Sequence, residues 1–119
     1  MSIDIDFWKY KKGVELNHAE VYKKACCDNE YVEGLELLPI EEIRKKIAFE
    51  FKDWTALDSD NYEKDGKSFA VTTTNQMVRF DFYTINKDDM NRLIDIMLGY
   101  GCALYEPQIG ARFDYGMKT

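Results

Sequence analysis

The stretch from Asn61 to Ile85, NYEKDGKSFAVTTTNQMVRFDFYTI, allows few folds. Phe69, Val71 and Thr73 fall at alternate positions of one run, and Val78, Phe80 and Phe82 at alternate positions of the next. A period of two belongs to a strand with one covered face, because successive Cβ atoms point to opposite sides. Arg79, Asp81 and Tyr83 then share the other side. Asp65-Gly66 supplies the positive-φ pair of a two-residue type I′ turn, and Asn75-Gln76 separates the two runs. The segment reads as an antiparallel meander, so the remaining elements must extend or cover a sheet.

Those elements are legible in outline. Ile3, Ile5 and Phe7 alternate with Asp4, Asp6 and Trp8, the pattern of a half-buried strand, and Gly13 ends that element. Residues 17–27 suit a helix capped by Asn17. A clearer helix follows Pro39, with Ile40, Ile43, Ile47 and Phe51 at helical spacing and Glu41 and Glu42 at the positive end of its dipole. Asn86 caps a last helix whose buried stripe is Met90, Leu93, Ile94 and Met97, and Gly99 or Gly101 stops it. In CALYEPQIGARF, Cys102 and Leu104 enter the core, Tyr105 faces the other side, and Pro107 ends the strand because it cannot donate to a ladder. Gln108 and Arg112 are expected to hold the turn that follows. A further strand then runs through Phe113 and Tyr115. The order β-α-α-β-β-β-α-β predicts a single α+β domain over residues 1–119, with an antiparallel-rich sheet and helices on one face. A ferredoxin-like arrangement with an added hairpin strand fits it best.

Composition sets limits on function. Of the residues, 45% are hydrophobic and 14% aromatic, enough for a core without disulfides or metal. The net charge is −6, and all of the excess lies in residues 1–63, which hold 15 acids against 9 lysines and arginines. Phosphate binding needs a basic face, so nucleic acid is not the expected partner. Three cysteines, Cys26, Cys27 and Cys102, make a poor disulfide framework and suit a reducing cytoplasm. The N-terminus carries acids where a signal peptide needs positive charge, and no run approaches the ~20 apolar residues of a membrane span. A cytoplasmic protein without membrane contact is expected.

Catalytic motifs are weak. The GKS at Gly66 to Ser68 lacks the first glycine of a phosphate-binding loop, since Asn61 stands there, and a strand follows it instead of a helix. The GYG at Gly99 to Gly101 comes after a helix and before a strand, the reverse of a dinucleotide turn. His18 is the only histidine; it and Glu20 are two apart and do not face each other on a helix, so it reads as a surface histidine. Adjacent Cys26 and Cys27 do not match zinc-ligand spacing and read as partly buried thiols. Asp4 and Asp6 share a strand face and could form a carboxylate pair, but they read more simply as the solvent side of an edge strand. No cofactor or metal is expected.

The most unusual composition is in residues 28–42, DNEYVEGLELLPIEE, with six acids and no base. Tyr31, Leu35, Leu37 and Leu38 are interleaved. Such a stretch can capture a cationic partner, the charges steering and the tyrosine anchoring; it can also be an exposed connection whose leucines fold back. The block QMVRFDFYTINKDDMNRLIDIMLGYGCALYEPQIGARF, Gln76 to Phe113, resembles small bacterial immunity proteins encoded beside polymorphic toxins of contact-dependent inhibition and Rhs type. The resemblance covers about a third of the chain. It implies a binding module, not an enzyme, that neutralises a cognate, basic C-terminal toxin domain in the cytoplasm, in many cases a nuclease. It transfers no individual site residues. The charge pattern nominates Glu30, Tyr31, Glu33, Glu36, Glu41 and Glu42 as the partner-binding residues. The rival is a small-ligand or regulatory domain with a pocket near Tyr105, Glu106, Gln108 and Arg112.

Overall fold

A computed structural model describes residues 3–114. Its elements are β1 (Ile3–Trp8), α1 (His18–Val21) running into a π-helical segment (Tyr22–Cys27), α2 (Ile40–Glu50), β2 (Thr55–Ala56), β3 (Asn61–Lys64), β4 (Lys67–Thr73), β5 (Val78–Thr84), α3 (Lys87–Gly99), β6 (Ala103–Glu106) and β7 (Ala111–Phe113). The fold is α+β. All seven strands form one antiparallel sheet in the order β2-β3-β4-β5-β1-β6-β7.

The four middle strands have the expected ferredoxin-like arrangement. From β1 the chain reaches β4 by way of the helices, and β5 pairs between them; from β5 it crosses by α3 to β6, and β1 pairs between them. These are two split β-α-β units. The meander adds β2 and β3 at one edge, and β7 extends the other. The two-residue β2 carries no period of its own and was not expected. Tyr115, read as part of the last strand, lies outside the described residues.

Local chemistry accounts for the joints. Asp65 (φ 50°) and Gly66 (φ 80°) make the tight β3–β4 turn. Asn17 and Asn86 accept from the backbone N–H groups of Glu20 and Asp89. Gly101, with φ of 80°, stops α3, while Gly99 lies inside the helix.

The larger core lies under α2 and α3. Ile43 and Ile47 from α2, Phe51 at its C-terminal cap, and Leu93, Ile96 and Met97 from α3 pack on Ile5, Phe7, Phe69, Val71, Val78, Phe80 and Leu104. Met90 and Ile94, expected in the α3 stripe, pack at its margin. Phe69 sits at the centre, with ring contacts to Phe51, Trp54, Tyr62, Phe80 and Phe82 at 5.1–6.5 Å. Truncating such a ring to alanine costs about 3–5 kcal/mol.

The helices do not all share that face. The α1–π segment packs on the opposite one, where Trp8 and Tyr105 meet Val21, Ala25, Cys26, Val32, Leu35 and Met77. Its bonding widens to i→i+5, as in Asp28 N to Lys23 O at 3.0 Å. The wider turn lets Val21, Ala25 and Cys26 all face the sheet.

Candidate functional site

The acidic segment is an exposed stretch with a fixed backbone. The Gln76 side chain, itself buried, accepts from Val32 N–H at 2.9 Å and donates to the carbonyls of Val32 (2.9 Å) and Leu35 (3.3 Å). Gly34 O and Glu36 N bond Lys11 N and Lys9 O, and Leu38 N donates to Asn75 O. Glu30 N donates to Lys24 O at 2.8 Å. Val32 and Leu35 turn into the core, as an ordinary connection would have them do. Tyr31 (65% exposed) and Leu37 (68% exposed) do not.

The six nominated residues all reach the surface but do not converge on one point. Glu30 and Tyr31 border a hollow of 180 Å³ with Asn75 and Gln76. Glu41 and Glu42 begin α2 and line a shallow depression with Pro39 and Lys45. Glu33 is exposed, and Glu36 turns toward Lys9, Lys11 and Lys12. The segment presents its acids at the surface together with two exposed apolar side chains, Tyr31 and Leu37.

Asp4 and Asp6 correct the expectation placed on them. β1 is central in the sheet, between β5 and β6, and the α1–π segment covers their side of it. Asp6 is 0% exposed and Asp4 9%. Asp6 stands in a cross-strand row with Arg79, Tyr105 and Arg112, and Asp4 stands opposite Asp81. Asp4 accepts from Tyr22 Oη at 3.0 Å and Gln108 Nε2 at 3.4 Å, with Arg79 Nε at 3.7 Å; Arg79 also grips Asp81 at 3.1 Å. Neither carboxyl oxygen of Asp6 has a nitrogen or hydroxyl donor; its close neighbours are the Asp4 carboxylate and the Cys26 thiol.

A charge at Asp6 would be buried almost unsolvated, so the group keeps its proton. Burial, reinforced by Asp4, pushes its pKa up from 3.8 to about 9. The neutral acid faces the Asp4 carboxyl group, which has Arg79 Nε 3.7 Å away. Burial also pushes up the Tyr22 hydroxyl and the Cys26 thiol, which stay protonated donors. The sequence carried one signal for this: Trp8 has the same strand parity as Asp4 and Asp6, and a tryptophan on that face argues that something covers it.

In the 105–112 turn, Gln108 and Arg112 do not take the bracing role expected of them. Tyr105 is buried against Trp8 and Tyr22, with ring centroids 5.2 and 5.4 Å away. Gln108 and Arg112 reach across β6 to β1 instead of bracing the turn: Gln108 donates to Asp4, and Arg112 Nη2 donates to Trp8 O at 2.5 Å. The Arg112 guanidinium lies over the rings of Tyr10 (4.8 Å) and Trp8 (5.2 Å). His18, read as a surface residue, is half-buried beside them; its Nδ1 shares a 2.7 Å hydrogen bond with Tyr10 Oη. Burial and the Arg112 charge hold its imidazole below the ordinary value, so it is neutral at pH 7. Of the thiols, Cys26 and Cys102 are buried and Cys27 is exposed.

Among the described residues no group of three or more His, Cys, Asp and Glu side chains is placed to hold a metal ion, and no helix is long and apolar enough to cross a membrane. The chain matches no protein-family model, no curated protein and no solved structure.

Proposed function

We propose that this protein is an immunity protein: a binding module, not an enzyme, that neutralises a basic bacterial toxin domain by stoichiometric contact through the face built from residues 28–42. One observation carries the reading. Tyr31 and Leu37 project from a backbone tied to Gln76, Asn75, Lys9, Lys11 and Lys24, within a stretch of six acids and no base. A tied loop has little ordering entropy left to lose on binding, so its exposed side chains act as preorganised anchors. Their carboxylate surroundings speed encounter with a cationic surface and disfavour acidic ones. A nuclease cleft built for phosphates is such a surface, and the resemblance of the Gln76 to Phe113 block to toxin-associated immunity proteins points to the same kind of partner.

The test is growth rescue. The chain is co-expressed with the toxin domain encoded beside its gene, and a 1:1 complex is sought by light scattering. Wild type rescues growth. Tyr31→Ala combined with Glu33→Lys, a pair of exposed positions that leaves the circular dichroism spectrum unchanged, weakens the complex at least tenfold, as loss of an anchor of 1.4 kcal/mol or more requires. Absence of a complex refutes the function; an undiminished complex with the double variant refutes the face.

A further inference from the structure

The chain is acidic, yet four cations without a salt bridge among the described residues line one cleft. Three of its four arginines are ion-paired: Arg44 with Asp60, Arg79 with Asp4 and Asp81, and Arg92 with Asp89 and Glu50. Arg112 is the exception among the described residues. It lines a cleft of 420 Å³ at the end of β1 together with Lys9, Lys11 and Lys12, none of them ion-paired among the described residues. That volume lies within the range usual for small-molecule sites, about 300–1,000 Å³.

The cleft is built. Arg112 is fixed by its bond to Trp8 O and by packing on Trp8 and Tyr10, and its buried Nε–H has no acceptor. Glu15 and Asp114 are the carboxylates that act electrostatically on the half-buried Arg112 guanidinium, and its planar fork matches the paired oxygens of an oxyanion. Gly101 adds room: a Cβ there would stand 3.0 Å from Lys9 Nζ, so glycine lets the ammonium lie against the chain. Glu15, Glu36 and Asp114 also line the cleft, so four cations face three acids and the lining carries a net +1. That balance suits one anionic group and disfavours a polyanion.

We propose that this cleft binds a small organic anion through a single carboxylate or phosphate group, held by Arg112 and surrounded by Lys9, Lys11 and Lys12. The proposal does not depend on the toxin reading, since only Glu36 belongs to both surfaces.

The test is ¹H–¹⁵N titration of the full chain with inorganic phosphate and, separately, with acetate, at ionic strength held constant with sodium chloride. The expected result is saturable shifts of the Gly13 and Gly101 amides and the Arg112 side-chain Nε–H. A response to phosphate alone or to acetate alone identifies the group. Lys11→Gln/Lys12→Gln, at exposed positions, raises the dissociation constant about tenfold, the worth of one charge-assisted hydrogen bond. Arg112→Lys keeps the charge, loses the fork and weakens binding further. Shifts that fail to saturate, that sodium chloride reproduces, or that persist with unchanged affinity in the lysine double variant overturn the site, and this last readout stands even where Arg112→Lys does not fold.

Discussion

Asp6→Asn should stabilise the protein at neutral pH and leave it nearly unchanged in mild acid. The amide is close to the acid in shape and keeps an N–H donor facing Asp4. What it removes is the titration. The folded-state pKa of Asp6 is about 9 against 3.8 for an ordinary aspartate. Between those values the folded chain holds a proton that the unfolded chain has released, so unfolding is favoured as pH rises, by about 1.4 kcal/mol per pH unit. From pH 4 to pH 7 the wild type therefore loses up to about 4 kcal/mol through this one group, a large share of the roughly 6–18 kcal/mol of a domain this size. Asn at position 6 carries no such slope. Urea unfolding of both proteins at pH 4.5, 6, 7 and 8 checks it, because titrating groups that do not interact with Asp6 cancel in the difference. The stability difference should widen steadily in favour of Asp6→Asn. A flat difference, or a less stable variant at pH 7, would show that Asp6 is not a buried neutral acid.

Two further outcomes follow from buried groups. Gln76→Leu strips three hydrogen bonds from the backbone of Val32 and Leu35 and leaves buried polar groups unpaired, at a cost of about 2–4 kcal/mol; hydrogen exchange should show protection of residues 30–38 falling first, and unchanged exchange there refutes the claim that Gln76 holds the segment. Iodoacetamide at pH 8 should modify Cys27 alone, since Cys26 and Cys102 are enclosed and burial pushes the Cys102 thiol up to about 12; intact mass should plateau at one adduct, and two rapid adducts would show that the α1–π segment opens.

The sheet face under α2 and α3 was readable because both of its periods are local. Alternation put Phe69, Val71, Val78, Phe80 and Phe82 on one side, and helical spacing put Ile43, Ile47, Leu93 and Met97 opposite them. The other face was misread because alternation of polar residues looks the same whether water or a helix covers it. Asp4 and Asp6 count as buried only once the position of β1 in the strand order and the docking of the π-helical segment are known. That segment hid its own stripe: Val21, Ala25 and Cys26 are spaced for a wider turn than 3.6 residues. Gln108 and Arg112 were assigned to their own turn because their true partners, Asp4 and Trp8 O, are 104 positions away. Of the acidic segment, exposure was foreseeable from its charge, but its fixation by Gln76, 44 and 41 positions away, was not.

The acidic face and the basic cleft have a common support. Lys9 and Lys11 bond the acidic segment through their backbones, at Glu36 N and Gly34 O, and present their side chains to the cleft. Arg112, which lines the cleft, stands in the same cross-strand row as Tyr105, Asp6 and Arg79. Movement of the chain at Lys9 to Lys11 would thus be felt at both surfaces. If an anion draws the three lysines inward, the segment bearing Tyr31 and Leu37 is tightened by the same backbone bonds, and the two ligands bind with positive coupling. Linkage makes this reciprocal: a saturating anion must strengthen the protein complex by the factor with which the partner strengthens anion binding. Measuring the complex with and without saturating anion at constant ionic strength decides it. Equal affinities would mean that the two surfaces share a chain segment without sharing energy.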